Sequence, residues 1–288
     1  MKNNTAERMQ ELTTRLAQYP LQLATEKDVT VSYRENGVQS DKTIVFLHGI
    51  GSSSASWLQQ LESKFGGYRL IAWDAPGYGD SNIIVDSTSA SQAYAKRLLI
   101  LINHLQLEKI QLVGHSLGAI IAAAFAKNWP EKIQSLTFVN PALGYGKQSK
   151  TTRDGIVNDR VVDMTQTGVD GMAHLSPSRL LSGNAKQGAV DLVQWNTRRL
   201  RERGYIAAAA MLASSDLIDD IQNYTGPVLV LYGADDIVVP VESAKLVAHT
   251  CHSGIFQEIP NAGHAVYIEQ ADIFERFLLC FIRNKIEQ

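Results

Sequence analysis

The stretch LVGHSLGA (residues 112–119) sets a serine between two glycines. The β-branched run KIQLV (109–113) precedes it and the small-residue run LGAIIAAAFAK (117–127) follows it. A strand that turns straight into a helix at Ser116 needs glycine on either side, because a Cβ at Gly114 or Gly118 would meet the neighbouring strand or helix. Such a turn exposes the hydroxyl and aims the next backbone N–H groups at a ligand. G-H-S-L-G therefore fits the nucleophile-elbow pattern G-x-S-x-G in its strand-before, helix-after context.

Outward from this point the chain repeats one rhythm. TIVFL (43–47), YRLIAW (68–73), KIQLV, SLTFV (135–139), PVLVLY (227–232) and GIFQEI (254–259) read as buried strands. SASWLQQLESKF (54–65), ASQAYAKRLLILINHLQ (90–106) and IIAAAFAKNWP (120–130) carry apolar residues at helical spacing. Strand–helix alternation implies an α/β fold, with a mainly parallel sheet and helices on both faces. LQLAT (21–25) and VTVSYREN (29–36) read as an antiparallel lead-in. Between Leu143 and Ser215 no strand is expected. Its stretches VDLVQWNTRRLRERG and YIAAAAMLASSD read as helices, so residues 143–215 are expected to form a helical cap over the ligand-binding edge of a core made of 1–142 and 216–288.

Composition narrows the function classes. The 288 residues are 45% hydrophobic and 19% charged, enough for a sizeable core. A net charge of −2 gives no electrostatic case for nucleic acid or an anionic membrane, and a small-molecule substrate is the expected partner. Two cysteines, Cys251 and Cys280, suit a reducing compartment, and the polar start MKNNTAERMQELTTRLAQ lacks the apolar core of a secretory signal. A cytoplasmic location is expected. Nothing in the residue pattern specifies an oligomeric state.

A serine needs a base, and the base needs an orienting group. His264, in IPNAGHAVYIE, follows the last strand, and Asp236, in YGADDIVVP, follows the one before it. In an open α/β sheet all strand ends of one direction share an edge, so Ser116, Asp236 and His264 are expected to meet there. Asp235 is the competing carboxylate; the frame Gly233 to Pro240 favours Asp236. An oxyanion would need two N–H donors, expected from Leu117 and from Ile50 in FLHGIGSS. His48 is expected to buttress that loop, Trp57 to pack beneath it, and the His115 side chain to have no specific part. Leu143, Trp195, Met211 and Val238 are candidates for an apolar acyl pocket. HTCH (249–252) matches no usual zinc spacing, so neither a metal nor another cofactor is expected. TRRLRER (197–203) is expected as a solvated face of a cap helix, with attraction of an acidic substrate tail or of a carrier such as coenzyme A as the alternative.

With these residues in place, the chain resembles the α/β-hydrolase superfamily over nearly its full length. The elements that carry the resemblance are His48-Gly49, DAPGYGDS (74–81), GHSLG around Ser116, GADDIVVP around Asp236 and NAGHAVYIE around His264. It implies an eight-stranded, mostly parallel sheet with a cap after the sixth strand. Departures matter as much. Ser116 stands where relatives that are haloalkane dehalogenases or epoxide hydrolases carry Asp, and Ile237 where plant-type hydroxynitrile lyases carry Lys. HGIGSSSASW and Ala265 differ from the loop and the Trp of the C–C hydrolases of meta-cleavage products, which weakens that assignment without removing it. An esterase, lactonase or thioesterase working through an acyl-enzyme is the leading expectation. A slow-turnover ligand receptor with an intact triad is the alternative from another class.

Overall fold

In the computed structural model, which describes residues 2–37, 42–63, 65, 67–84 and 91–286, eight strands form one sheet. They are β1 (Gln22–Glu26), β2 (Val29–Asn36), β3 (Thr43–Leu47), β4 (Arg69–Trp73), β5 (Ile110–His115), β6 (Ile133–Val139), β7 (Val228–Gly233) and β8 (Gly254–Ile259). The spatial order is β1-β2-β4-β3-β5-β6-β7-β8. β2 pairs antiparallel with β1 and β4, and every later pairing is parallel. The expected α/β class, antiparallel lead-in and eight strands are therefore present.

The helices follow in chain order: α1 (Lys2–Ala17), α2 (Leu58–Glu62), α3 (Ser91–His104), α4 (Leu117–Asn128), α5 (Lys150–Val162), α6 (Gly168–Leu180), α7 (Gln187–Thr197), α8 (Glu202–Ser214), α9 (Leu217–Ile221), α10 (Val241–Thr250), α11 (Val266–Glu269) and α12 (Ala271–Ile286). The expected helices at 54–65 and 90–106 include Lys64 and Ala90, which lie outside the described residues. Ser54–Trp57 is a 3₁₀ turn leading into the short α2, so that helix is less regular than its spacing suggests.

Strand periodicity sorts the core into two halves. Val45 and Leu47 of β3 join α3, α4 and α10 on one face, whereas Ile44 and Phe46 join α2, α11 and α12 on the other. β7 divides the same way, Val228, Val230 and Tyr232 against Leu229 and Leu231. Successive side chains of a strand point to opposite faces, so a strand covered on both reads as an unbroken apolar run.

Between β6 and β7 the chain leaves the sheet as helices α5 to α8, with no strand among the described residues. Its exit and return lie side by side: Leu217 N–H donates to Leu143 C=O at 2.8 Å and Gly146 N–H to Ser215 C=O at 2.9 Å. At the far end, the start of α8 rests on the loop after β4, where Gly204 and Gly77 approach so closely that a Cβ on either would overlap the other's backbone. Arg201 donates to the Gly77 and Ser81 carbonyls of that loop. TRRLRER is thus exposed at its four arginines, as expected, but is not the face of one helix. It spans the break between α7 and α8, Arg199 lies 3.4 Å over the Trp195 ring, and Arg201 fixes the loop.

Helix α1, unforeseen in the sequence, ties two parts together. Arg15 bonds Glu62 of α2 at 2.7 Å, and Arg8 bonds the buried Asp191 of α7 at 2.5 Å. Among the described residues no helix is long and apolar enough to cross a membrane.

The elbow glycines give a stability test. A Cβ on Gly118 would stand 2.4 Å from the Leu47 carbonyl oxygen, while one on Gly155, inside α5, meets nothing within 4 Å. Urea denaturation is expected to show Gly118→Ala destabilised by roughly 3 kcal/mol and Gly155→Ala stabilised by about 0.5–1 kcal/mol.

Candidate active site

The turn at Ser116 is as tight as its glycines imply. Ser116 has φ 52° and ψ −112°, a left-handed conformation that a non-glycine residue holds only under strain. The surroundings impose it: Ser116 N–H donates to Val139 C=O at 3.0 Å, and α4 starts at the next residue, so Ala119 N–H bonds back to Ser116 C=O. Gly114 abuts the Gly118 backbone, and Gly118 abuts Leu47 and His48. The close packing of β3, β5 and α4 leaves the serine one place to go.

The loop after β3 passes directly beside it. A Cβ on Gly49 would lie 3.1 Å from Ser116 Cβ, so Gly49 is what lets the backbone reach the hydroxyl. Among the described residues neither the Ile50 nor the Leu117 N–H donates to a turn or loop carbonyl, and Ile50 lines the cavity that holds Ser116. His48 fixes this loop. It accepts from Ala75 N–H at Nε2 (3.0 Å) and donates from Nδ1 to Gly49 C=O (2.8 Å). Burial lowers its imidazole against the pull of Asp74, which keeps that neutral tautomer. Trp57 stacks on Tyr267 at 3.9 Å and on Phe46 at 4.8 Å.

The loops after β7 and β8 bring the other two residues together. His264 Nδ1 lies 2.8 Å from Asp236 Oδ2, with both side chains buried. Asp236 Oδ2 also accepts from Asn140 Nδ2 at 2.7 Å, and Oδ1 from the Val238 and Val239 N–H groups at 2.7 and 3.2 Å. Burial by itself would raise this carboxyl. The hydrogen bond and charge of His264, with Asn140 and the Val238 N–H, outweigh it and hold the carboxyl below its ordinary value. Asp235 is exposed, and among the described residues only its backbone N–H is engaged, to Ala262 C=O. The geometry thus joins Asp236, not Asp235, to His264. The imidazole's one hydrogen bond among the described residues is this one, which leaves Nε2 for the cavity that His264 shares with Ser116.

Two contributors escaped the sequence reading. Asn140, at the end of β6 with φ 43°, is fully buried against Asp236. An Asn directly after a buried strand and tolerant of a left-handed φ is the only trace it leaves in the sequence. His115, expected to be incidental, donates from Nε2 to His264 C=O at 3.0 Å and packs on the rings of His264 and Tyr267 at 4.8 and 4.9 Å. Burial, reinforced by the charge of a protonated His264, lowers the His115 imidazole well below its usual value. A neutral spacer of fixed tautomer therefore positions the His264 backbone.

The cavity, about 1000 Å³ including its open mouth, is lined by Ser116, His264, the Ile50–Ser52 loop and residues of α5 to α8, among others. Of the four candidate pocket residues only Val238 lines it. Met211 is fully buried in the core, and Leu143 packs at the neck of the helical segment against that same core. Trp195 faces the opposite side of α7, under Arg199 and against Thr13 of α1. Helical spacing identified apolar residues there but not which stripe of each helix faces the cavity. The apolar wall comes instead from Met172, Leu175, Val193 and Leu200. His249 and His252 are exposed at the end of α10, and among the described residues no group of three or more His, Cys, Asp or Glu side chains could hold a metal.

The depressed Asp236 carboxyl has a pH consequence. Its stabilising contribution is present above the unfolded-state value and lost as pH falls through the lower folded one. Asn140→Ala removes a donor to the carboxylate, so the loss of activity and of thermal stability on acidification is expected to begin at a higher pH than in wild type. Parallel pH profiles of rate and melting temperature for the two proteins measure it.

Comparison with known proteins places the chain in a family. The alpha/beta hydrolase fold family profile matches residues 42–271. A 2-hydroxy-6-oxononadienedioate/2-hydroxy-6-oxononatrienedioate hydrolase of Pseudomonas putida is 26% identical over 269 residues, 89% of this chain and 93% of that protein. The 3-oxoadipate enol-lactonase 2 of Acinetobacter baylyi is 25% identical, covering 87% and 92%. Among solved structures, a thermophilic esterase from Thermogutta terrifontis superposes with a TM-score of 0.81 at 23% identity, over 92% of this chain and 99% of that one. With the family profile spanning most of its length, the chain belongs to the alpha/beta hydrolase fold family.

Proposed function

We propose that the chain is a serine hydrolase of carboxylic esters, lactones or thioesters that works through an acyl-enzyme. The observation that carries this reading is the strained Ser116 sharing one cavity with Ile50 and with His264, whose Nδ1 is held by Asp236 behind it. Ser116 Oγ attacks the substrate carbonyl carbon while His264 takes its proton at Nε2. Asp236 holds the imidazole by Nδ1 and stabilises the imidazolium. The carbonyl oxygen, now an oxyanion, is held by the Ile50 and Leu117 N–H groups. Collapse breaks the bond to the leaving group, which takes the proton from His264. Water, deprotonated by the same imidazole, then attacks the acyl-enzyme and frees Ser116. Residues 143–215 serve as a cap that shields this chemistry, and no cofactor is required.

A second reading draws support from the names of relatives. The Pseudomonas putida protein and a 2-hydroxy-6-oxo-6-phenylhexa-2,4-dienoate hydrolase of Comamonas testosteroni, 24% identical over 278 residues, are named for ring-fission dienoates. The same serine, base and oxyanion donors could cleave a C–C bond next to a ketone. Ala265 after the base and the HGIGSSSASW loop speak for ester chemistry.

The test is p-nitrophenol release from short- and medium-chain esters by wild type, Ser116→Ala, His264→Ala and Asp236→Asn. Turnover is expected in wild type and a loss of roughly 10⁴-fold or more in each variant. A burst of one product per protein followed by nothing identifies a receptor. Inertness to esters combined with bleaching of a dienolate ring-fission product identifies the C–C hydrolase.

A further inference from the structure

Three charged side chains line the cavity of Ser116 and His264: Arg160 at the end of α5, Asp163 in the π-helical turn Asp163–Thr167 that follows it, and Arg179 in α6. Two guanidiniums against one carboxylate leave a single positive charge. Asp163 pairs loosely with Arg179, 3.9 Å apart and with both side chains partly in solvent. None of the ion pairs among the described residues involves Arg160. It is half-buried in a lining whose apolar part is Met172, Leu175, Val193 and Leu200.

An unpaired guanidinium beside apolar surface is poorly screened, and its planar fork suits a carboxylate. Tyr205 stands on the same wall at 5% exposure. Burial raises its phenol while Arg160 acts the other way, so the group is a neutral O–H donor within the electrostatic reach of Arg160. The net charge of one, with Asp163 close by, favours a monoanion over a phosphate dianion.

We propose that Arg160, aided by the Tyr205 hydroxyl, binds a carboxylate carried by the substrate, so that the enzyme prefers acidic esters to their neutral counterparts. This deepens the hydrolase reading above and rests on it. The apolar residues between the serine and the guanidinium would then hold the methylene or aromatic span joining the scissile carbonyl to the distal carboxylate.

Two matched pairs test the site from either side of the scissile bond. One is p-nitrophenyl hydrogen adipate against methyl p-nitrophenyl adipate. The other is 4-carboxyphenyl hexanoate against 4-(methoxycarbonyl)phenyl hexanoate. Arg160→Gln is expected to lower kcat/KM about tenfold more for the acidic than for the neutral member of at least one pair, chiefly through KM. Arg160→Lys should recover part of the loss, since it restores the charge without the fork. Equal effects on acidic and neutral members in both pairs overturn the carboxylate site. If wild type hydrolyses none of the four, the ester-hydrolase reading fails, and binding decides the site separately. Adipate is then titrated calorimetrically into Ser116→Ala and into Ser116→Ala/Arg160→Gln. About tenfold weaker binding to the second supports the site; equal binding, or none to either, overturns it.

Discussion

The closest approach of backbone to backbone in the middle of the sheet governs the rest of the molecule. Gly118 at the head of α4 touches Leu47 and His48 at the end of β3, and Gly114 at the end of β5 touches Gly118 in turn. No side chain fits at either contact. Because the helix can lie so near the strands, Ser116 is forced into its left-handed turn and the loop after β3 is carried across its face. The strain at one residue is over-determined by the packing of three elements, and that is how a costly conformation persists.

Around this contact the site is assembled from strand ends. β3 supplies the Gly49–Ile50 loop, β5 the serine, β6 Asn140, β7 Asp236 and β8 His264. Each arrives at one edge because the five strands run parallel. Rigidity comes from neutral imidazoles on either side of the serine. His48 locks the first loop through Ala75 and Gly49, and His115 locks the last through the His264 carbonyl. Buried rings kept uncharged fix distances without adding charge beside His264.

Much of this could be read in the chain, and the pattern of what could not is physical. Strands buried on both faces announce themselves as apolar runs, and the elbow glycines announce a close approach, so the parallel strands and the loops that follow them were legible, whereas their order in the sheet was not. Asp236 was separable from Asp235 by its frame alone. Asn140 and His115 were not legible, because each acts by a contact between segments 96 and 149 residues apart in sequence. The cavity wall failed for another reason. A helix packed between core and cavity is apolar on both sides, so Trp195 and Val193, two residues apart on α7, look equivalent in sequence although only Val193 meets the cavity. The basic run Thr197–Arg203 is solvent-exposed at its four arginines as expected, but it read as one helix because the α7–α8 break carries no Gly or Pro to mark it.

The N-terminal helix α1 holds α2 by Arg15–Glu62 and α7 by Arg8–Asp191. It thereby acts as a brace across the joint between the sheet layer and the helices above the cavity. With the neck at Leu143–Leu217 and the seat at Gly77–Gly204, the upper helices are pinned at three separated points. Three contacts from different stretches of the chain thus hold these helices to the layer beneath, and the cavity they cover is bounded by segments as far apart in sequence as Ile50 and Ile268.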